Sequence, residues 1–279
     1  MRALTAVTAF LLACAAGAFA STQKLIALTF DDGPRPYVLF GYQPQGEAPI
    51  PGLLNVLDRE QAKATFFVMG WRLMPKQYGD RREFRTSMTC LDAAREEFRR
   101  GFEIENHSYS HVQFRQFEKK HGPESAVADV ERAGALIKSV TGTEPHFVRP
   151  PDWITWPELS QQIAGHGYRV MNIASDIPSA WRDVNSVDYL CAGLHPRQCP
   201  TGGDEQFVLR TIAAREKKGV TTHILVFHEL STTTLMLEKL LPQLRQQGYR
   251  FVTLQEYMRE VGPPAPARLV KQAVAKTRK

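Results

Sequence analysis

Leu25-Ile26-Ala27-Leu28-Thr29-Phe30-Asp31-Asp32-Gly33-Pro34 is the stretch on which the fold turns. An apolar run leads straight into two adjacent acids and a Gly-Pro turn. A short, continuous run of this kind reads as a strand buried on both faces. Comparable β-rich runs recur at 64–70, 102–106, 146–149, 168–174, 222–228 and 249–254. Between them lie helix-period patterns at about 51–61, 86–100, 124–140, 157–166, 204–218, 233–247 and 254–261. Gly101, Gly142, Gly167 and Gly248 punctuate the helix ends. The repeated order of helix, glycine and strand calls for parallel strands with right-handed crossovers. Seven strands without a glycine-rich phosphate loop favour an α/β fold, a seven-stranded (β/α) barrel, over a dinucleotide-binding fold. Long loops are expected at 35–50, 71–85 and 175–203, where specificity usually resides.

Polar clusters follow four of these strands. Asp31-Asp32-Gly33-Pro34 ends the first, and His107 and His111 follow 102–106. Arg149-Pro150-Pro151 ends 146–149, and His228-Glu229 ends 222–228. In an α/β barrel the carboxyl ends of all strands meet on one face, so the four clusters should converge on one pocket. Two acids brought to one site need a cation or an arginine beside them. Read alone, Asp-Asp-Gly-Pro is also plain turn chemistry with solvated acids. His107-x-x-x-His111 puts two imidazoles on one face if the segment turns helically, a spacing common at zinc; two unrelated surface histidines would read the same. Two His and one carboxylate leave an open position, the layout of a catalytic metal site.

The rest of the chain sets the context. Hydrophobic residues are 43% and charged residues 23% of the 279, which excludes collagen-like, coiled-coil and wholly disordered classes. Residues 1–20 read as a signal peptide: Arg2, then an apolar stretch, then Ala18-Phe19-Ala20 before Ser21. Export to the periplasm or the extracellular space is expected. Leu11-Leu12-Ala13-Cys14 resembles a lipoprotein box but fits it poorly. Residues 21–262 form the expected catalytic domain, and 263–279 a Pro-rich linker and basic tail. The tail holds Arg268, Lys271, Lys276, Arg278 and Lys279 and no acid. With Arg2 it accounts for the whole net charge of +6, so the body is neutral. A neutral body has no electrostatic footprint for nucleic acid. The tail is a solvated terminus or adheres to an anionic envelope surface. Cys191 and Cys199 are expected to close a small disulfide loop, and Cys90 to be a buried thiol. A monomer is expected.

The motifs together resemble the polysaccharide deacetylases of the NodB-homology type, over about residues 24–260, and the resemblance implies that the seven-stranded (β/α) barrel is distorted. Thr29-Phe30-Asp31-Asp32-Gly33-Pro34 is similar to the family's first motif, which implies Asp31 as general base and Asp32 as metal ligand. His107-Ser108-Tyr109-Ser110-His111 resembles the second, with both histidines as ligands. Arg149-Pro150-Pro151 is similar to the third, whose arginine orients the base. Val226-Phe227-His228-Glu229 resembles the fifth, with His228 as general acid. Departures stand beside these matches. Asp152 and Trp153 occupy the place of an aromatic whose backbone N–H serves the oxyanion. Asp176 is the nearest match for the fourth-motif acid that tunes His228. Val226 and Glu229 replace the usual Leu and Asp, and Val226, like Asp152, Trp153 and Asp176, is a candidate for the substrate and oxyanion wall of the pocket.

The resemblance implies a metal-dependent hydrolase that removes N-acetyl groups from N-acetylglucosamine-containing glycans: peptidoglycan, chitin-type oligomers or an exopolysaccharide. Zinc is the expected ion, and the same ligands accept Co(II), Ni(II) or Mn(II). Three other activities fit the residues. They are an O-acetyl esterase on a xylan-like glycan, a metal amidase on a small amide, and a silent glycan-binding relative. Trp153, Trp156, Trp181, Tyr37 and Tyr42 are candidate platforms for sugar rings.

Overall fold

The computed structural model describes residues 23–74, 87–171, 183–191, 197 and 205–261. The predicted leader and tail, with Asp176, Trp181 and Cys199, lie outside them. Strand β1 (Leu25–Gly33) is the spine. Strands β4 (Thr65–Val68), β5 (Glu103–Asn106), β6 (Phe147–Val148) and β7 (Arg169–Val170) follow outward on one side. On the other side lie β9 (Thr222–His228) and then β8 (Asp183–Asn185). All pair in parallel, and the seven curl into a half-barrel. An eighth strand, β10 (Arg250–Val252), pairs with Leu25–Ala27 of β1, while β4 pairs further along at Thr29–Gly33.

All seven expected strands and all seven expected helices are present, usually shorter by a few residues than the patterns drawn. The sequence reading did not include β8, which is three residues long. It also took 35–50 as a bare loop. That segment instead carries helix α1 (Pro36–Phe40) and one arm of a small antiparallel pair, β2 (Gly41–Tyr42) with β3 (Ile50–Pro51). Gly41 allows this pairing: its φ is +78°, and a Cβ would stand 2.5 Å from Ile50 O.

Period-two alternation sorts each strand between a helix-facing side and the barrel interior. Ile26, Leu28 and Phe30 belong to the outer core with Phe66, Leu225 and Phe227. Phe30 stacks between Phe66 and Phe227 at 5.1 and 5.6 Å, tying three adjacent strands together. Leu25 and Ala27 face inward with Phe67, Phe147, Ile224 and Val252. Continuing the inward rows gives Thr29 and Asp31 on β1, Ile224, Val226 and His228 on β9, and Arg149 two residues past Phe147. Each row starts apolar and ends polar at the same mouth. The longest described helix, α2 (Ser125–Thr141), packs outside β5. It ends where Gly142 takes φ +76°. No described helix is long and apolar enough to cross a membrane.

Candidate metal centre and active site

Asp31, Asp32, His107, His111, Asp152, Trp153 and His228 all line one pocket of about 410 Å³ at the carboxyl end of the strands. Asp31 and His228 are register partners on adjacent strands, so they stand side by side. Asp32 takes φ +72°, which breaks the strand alternation and turns consecutive acids to different tasks.

The histidine segment is not helical, contrary to the expectation from its spacing. Ser108 and His111 both have left-handed φ, at 67° and 57°. Side chains supply the bonds a helix would have made. Asn106 Oδ1 accepts from Ser108 N at 2.8 Å, and Ser108 Oγ from His111 N at 3.1 Å. Asp129 Oδ2, on α2, accepts the Tyr109 and Ser110 N–H groups at 3.0 and 3.1 Å. Two imidazoles still share one face, with ring centres 4.8 Å apart.

Asp32 Oδ1 lies 3.0 Å from His111 Nε2 and 3.4 Å from His107 Nε2. One ligand atom from each residue falls within 4.8 Å of the others. Asp32 Oδ1 is buried and makes no directed hydrogen bond, and His107 Nδ1 donates to Arg149 O at 2.8 Å. That bond leaves the lone pair on Nε2, as a metal ligand requires. Burial opposes ionisation of Asp32, but the two imidazoles outweigh it and hold its carboxyl well below the usual range. Burial likewise lowers and Asp32 raises the His111 pKa, and the raise wins. A carboxylate oxygen and two imidazole nitrogens facing one point fit a divalent cation.

Arg149 is wholly buried. Its Nη1 donates to Asp31 Oδ1 at 2.5 Å and its Nη2 to Thr29 Oγ1 at 2.9 Å. Thr29 Oγ1 in turn donates to Leu225 O. The guanidinium carbon lies 4.0 Å from the centre of the Phe67 ring and 4.5 Å from that of Trp153. Asp31, 1% exposed, therefore meets a fixed positive charge.

Beside Asp31, at the end of β9, His228 Nδ1 meets Asp188 Oδ1 at 2.8 Å. Asp188 Oδ2 also accepts the His228 N–H at 2.8 Å and the Thr233 hydroxyl at 2.5 Å. Burial pulls the His228 pKa down, but Asp188 above all outweighs it, and the pKa is pushed up to about 9.

The sequence reading missed Asp188, along with Asn185 and Tyr189, which also line the pocket. Asp188 opens a single 3-10 turn (Asp188–Cys191) after the three-residue β8. Its signal was an acid-aromatic pair just past a Val-centred run within 175–203. Asp176, expected to tune His228, lies outside the described residues, and the acid seen on His228 is Asp188. Val226 is corrected: it is fully buried one layer beneath His228 and does not line the pocket. Asp152 and Trp153 are at the rim with left-handed φ of 54° and 59°. Of the other aromatic candidates, Tyr37 packs against Tyr42 and the core, and Trp156 packs under Arg115. Cys191 is disulfide-bonded, and Cys90 is a free, buried thiol.

Relatives place this geometry. A 26% identical protein from Bacillus cereus, described as a peptidoglycan-N-acetylglucosamine deacetylase, aligns over 86% of this chain and 90% of its own length. The peptidoglycan-N-acetylglucosamine deacetylase PgdA of Listeria monocytogenes is 26% identical over 85% of this chain, which spans only 39% of that protein. Among solved structures, a family 4 acetyl xylan esterase from Clostridium thermocellum with a cobalt ion has the same fold. Its TM-score is 0.57 at 24% identity, over 85% of this chain and 91% of that one. The family model described as polysaccharide deacetylase matches residues 20–171, more than half of the chain and three of the four clusters at the pocket. The chain belongs to the polysaccharide deacetylase family.

Proposed function

We propose that this enzyme removes N-acetyl groups from N-acetylglucosamine-containing glycans after export. The carrying observation is the pocket itself: a two-histidine, one-carboxylate centre flanked by an arginine-held Asp31 and an aspartate-held His228. The curated relatives support the glycan class. Asp32, His107 and His111 would hold the cation, for which zinc suits the donor set. A divalent ion there supplies Lewis acidity toward the acetyl carbonyl and acidifies water.

The chain's own groups do the remaining work. Asp31 accepts the proton of the attacking water as general base. Arg149 aims Asp31 through the bond from its Nη1 to Oδ1. The peptide N–H of Asp152 is the assigned donor to the oxyanion, and Trp153 forms the wall beside it. His228 gives its Nε2 proton to the departing amine, while Asp188 holds Nδ1 and stabilises the imidazolium. Tyr189, edge-on to His228 at 5.8 Å and 47% exposed, offers the second wall.

The leader-like residues 1–20 and the disulfide at Cys191 support an oxidising destination, periplasmic or extracellular. The tail, with five cations and no acid, is a solvated terminus and a candidate for adhesion to an anionic envelope surface, and the enzyme is read as a monomer.

The test is acetate release by residues 21–279 on N-acetyl chito-oligomers and on peptidoglycan, with chelator and then with zinc restored. Release that stops and returns supports the reading. An O-acetyl xylan arm separates amide from ester cleavage, since the same residues could serve both. No release from either N-acetyl substrate, with zinc bound, sinks the proposal.

A further inference from the structure

Two buried charged side chains grip the turn that follows Asp32. Glu229, wholly buried, comes directly after His228. Its N–H donates to Asp31 O at 3.0 Å, and its Oε2 accepts the Arg35 N–H at 2.7 Å. Arg72, 7% exposed, lies in the 3-10 turn after β4, and its Nη1 donates to Pro34 O at 3.2 Å. Pro34 C=O and Arg35 N–H belong to one peptide group. That peptide is held at its oxygen by a guanidinium and at its N–H by a carboxylate, and charge-assisted bonds are the strong ones.

The neighbouring residues are built around this grip. A Cβ on Gly33 would stand 1.6 Å from Glu229 Oε1, so the glycine lets the carboxylate nest inside the turn. Gly33 O accepts from Met69 N at 2.9 Å. Arg35, whose N–H is gripped, sends its guanidinium to within 3.7 Å of Asp32 Oδ2. The turn is thus tied to β9 by Glu229 and to the end of β4 by Arg72.

We propose that Glu229 and Arg72 are positioning residues for the metal centre. They clamp the Pro34–Arg35 peptide and so fix the direction in which Asp32 faces His107 and His111. Neither lines the pocket. The inference rests on the metal reading of Asp32, His107 and His111, and not on the identity of the glycan.

The test uses the full mature chain with Glu229→Ala, Glu229→Gln, Arg72→Met and Arg72→Lys. Zinc affinity is measured by competition with a chromophoric chelator, alongside the melting temperature of each metal-free protein. Glu229→Ala and Arg72→Met should weaken zinc about 10- to 100-fold, the range for groups that orient ligands. Glu229→Gln, which keeps an acceptor, and Arg72→Lys, which keeps a donor, should recover most of the loss. Wild-type zinc affinity in a folded Glu229→Ala or Arg72→Met overturns the proposal, as does a melting temperature that falls while zinc affinity holds. If Glu229→Ala does not fold, the Arg72 pair and Glu229→Gln decide. A wild-type enzyme that binds zinc but releases no acetate refutes the glycan reading and leaves this comparison intact.

Discussion

Asp31 and Asp32 are neighbours in sequence with opposite surroundings. Asp31 faces an arginine, and Asp32 faces two imidazoles. Asp31→Asn should keep zinc and lower kcat by about 10²–10⁴, the usual worth of a positioned base. Single-turnover acetate release checks it, and a near wild-type rate would remove Asp31 from that role. His107→Ala should instead lose the metal, read by zinc content after dialysis. His228 sets the pH dependence. Its pKa of about 9 lies above its ordinary 6.5. The stability it contributes is therefore complete below pH 6.5 and lost as pH rises through about 9. As general acid it must be protonated, so kcat should fall on the alkaline side. Asp188→Asn removes the main support and should move that limb about 1–2 units lower. A pH–kcat profile identical to the wild type's would exclude the pairing as the cause.

At the scale of elements, the site depends on strand ends that leave regular structure in a controlled way. Four of its residues, Asp32, His111, Asp152 and Trp153, have left-handed φ, a conformation costly for residues with a Cβ. The cost is offset by dedicated acceptors, of which Asp129 is the clearest. It is 5% exposed and collects two N–H groups of the histidine loop. Burial pushes its carboxyl above the usual range against those bonds. Asp129→Ala should cost about 1–3 kcal/mol by leaving half-buried donors without their carboxylate. Because that loop carries His111, zinc affinity should fall with it. Urea unfolding and a zinc titration on the same sample check both effects. A stability loss with intact zinc affinity would detach the loop's bonding from the metal centre.

At the scale of the molecule, the metal centre joins β1 to the segment after β5, and the Asp31–Arg149 pair joins β1 to the end of β6. A cation bound to the native form alone stabilises it by mass action. At free zinc 1,000 times its Kd the gain is about 4 kcal/mol. For a chain of this size each kcal/mol is worth about 2–4 °C of melting temperature. Chelation should therefore lower Tm by about 10 °C, and restoring zinc should raise it again. Calorimetry that finds the same Tm with and without chelator would show that the three ligands hold no ion in solution.

The strands and their direction were legible because they rest on local rules. Two-residue alternation, helix periods and glycine stops need only a window of neighbours. Those rules carried Asp31, Asp32, His107, His111, Arg149 and His228 to one mouth, since the carboxyl ends of parallel strands share a face. Asp188 was not legible, because the contact that gives it meaning spans 40 residues to His228. Its strand, β8, is three residues long and too short to carry a period. The place of Val226 was misread because a motif position does not state a layer, whereas alternation puts it beneath His228. Tertiary structure alone decided the histidine loop's shape, where Asp129 replaces helix bonds. It also decided the double use of Arg149, whose carbonyl sets the His107 tautomer while its guanidinium holds Asp31. Such assignments belong to polar groups that must find partners once buried, and the fold, not the neighbouring sequence, selects the partner.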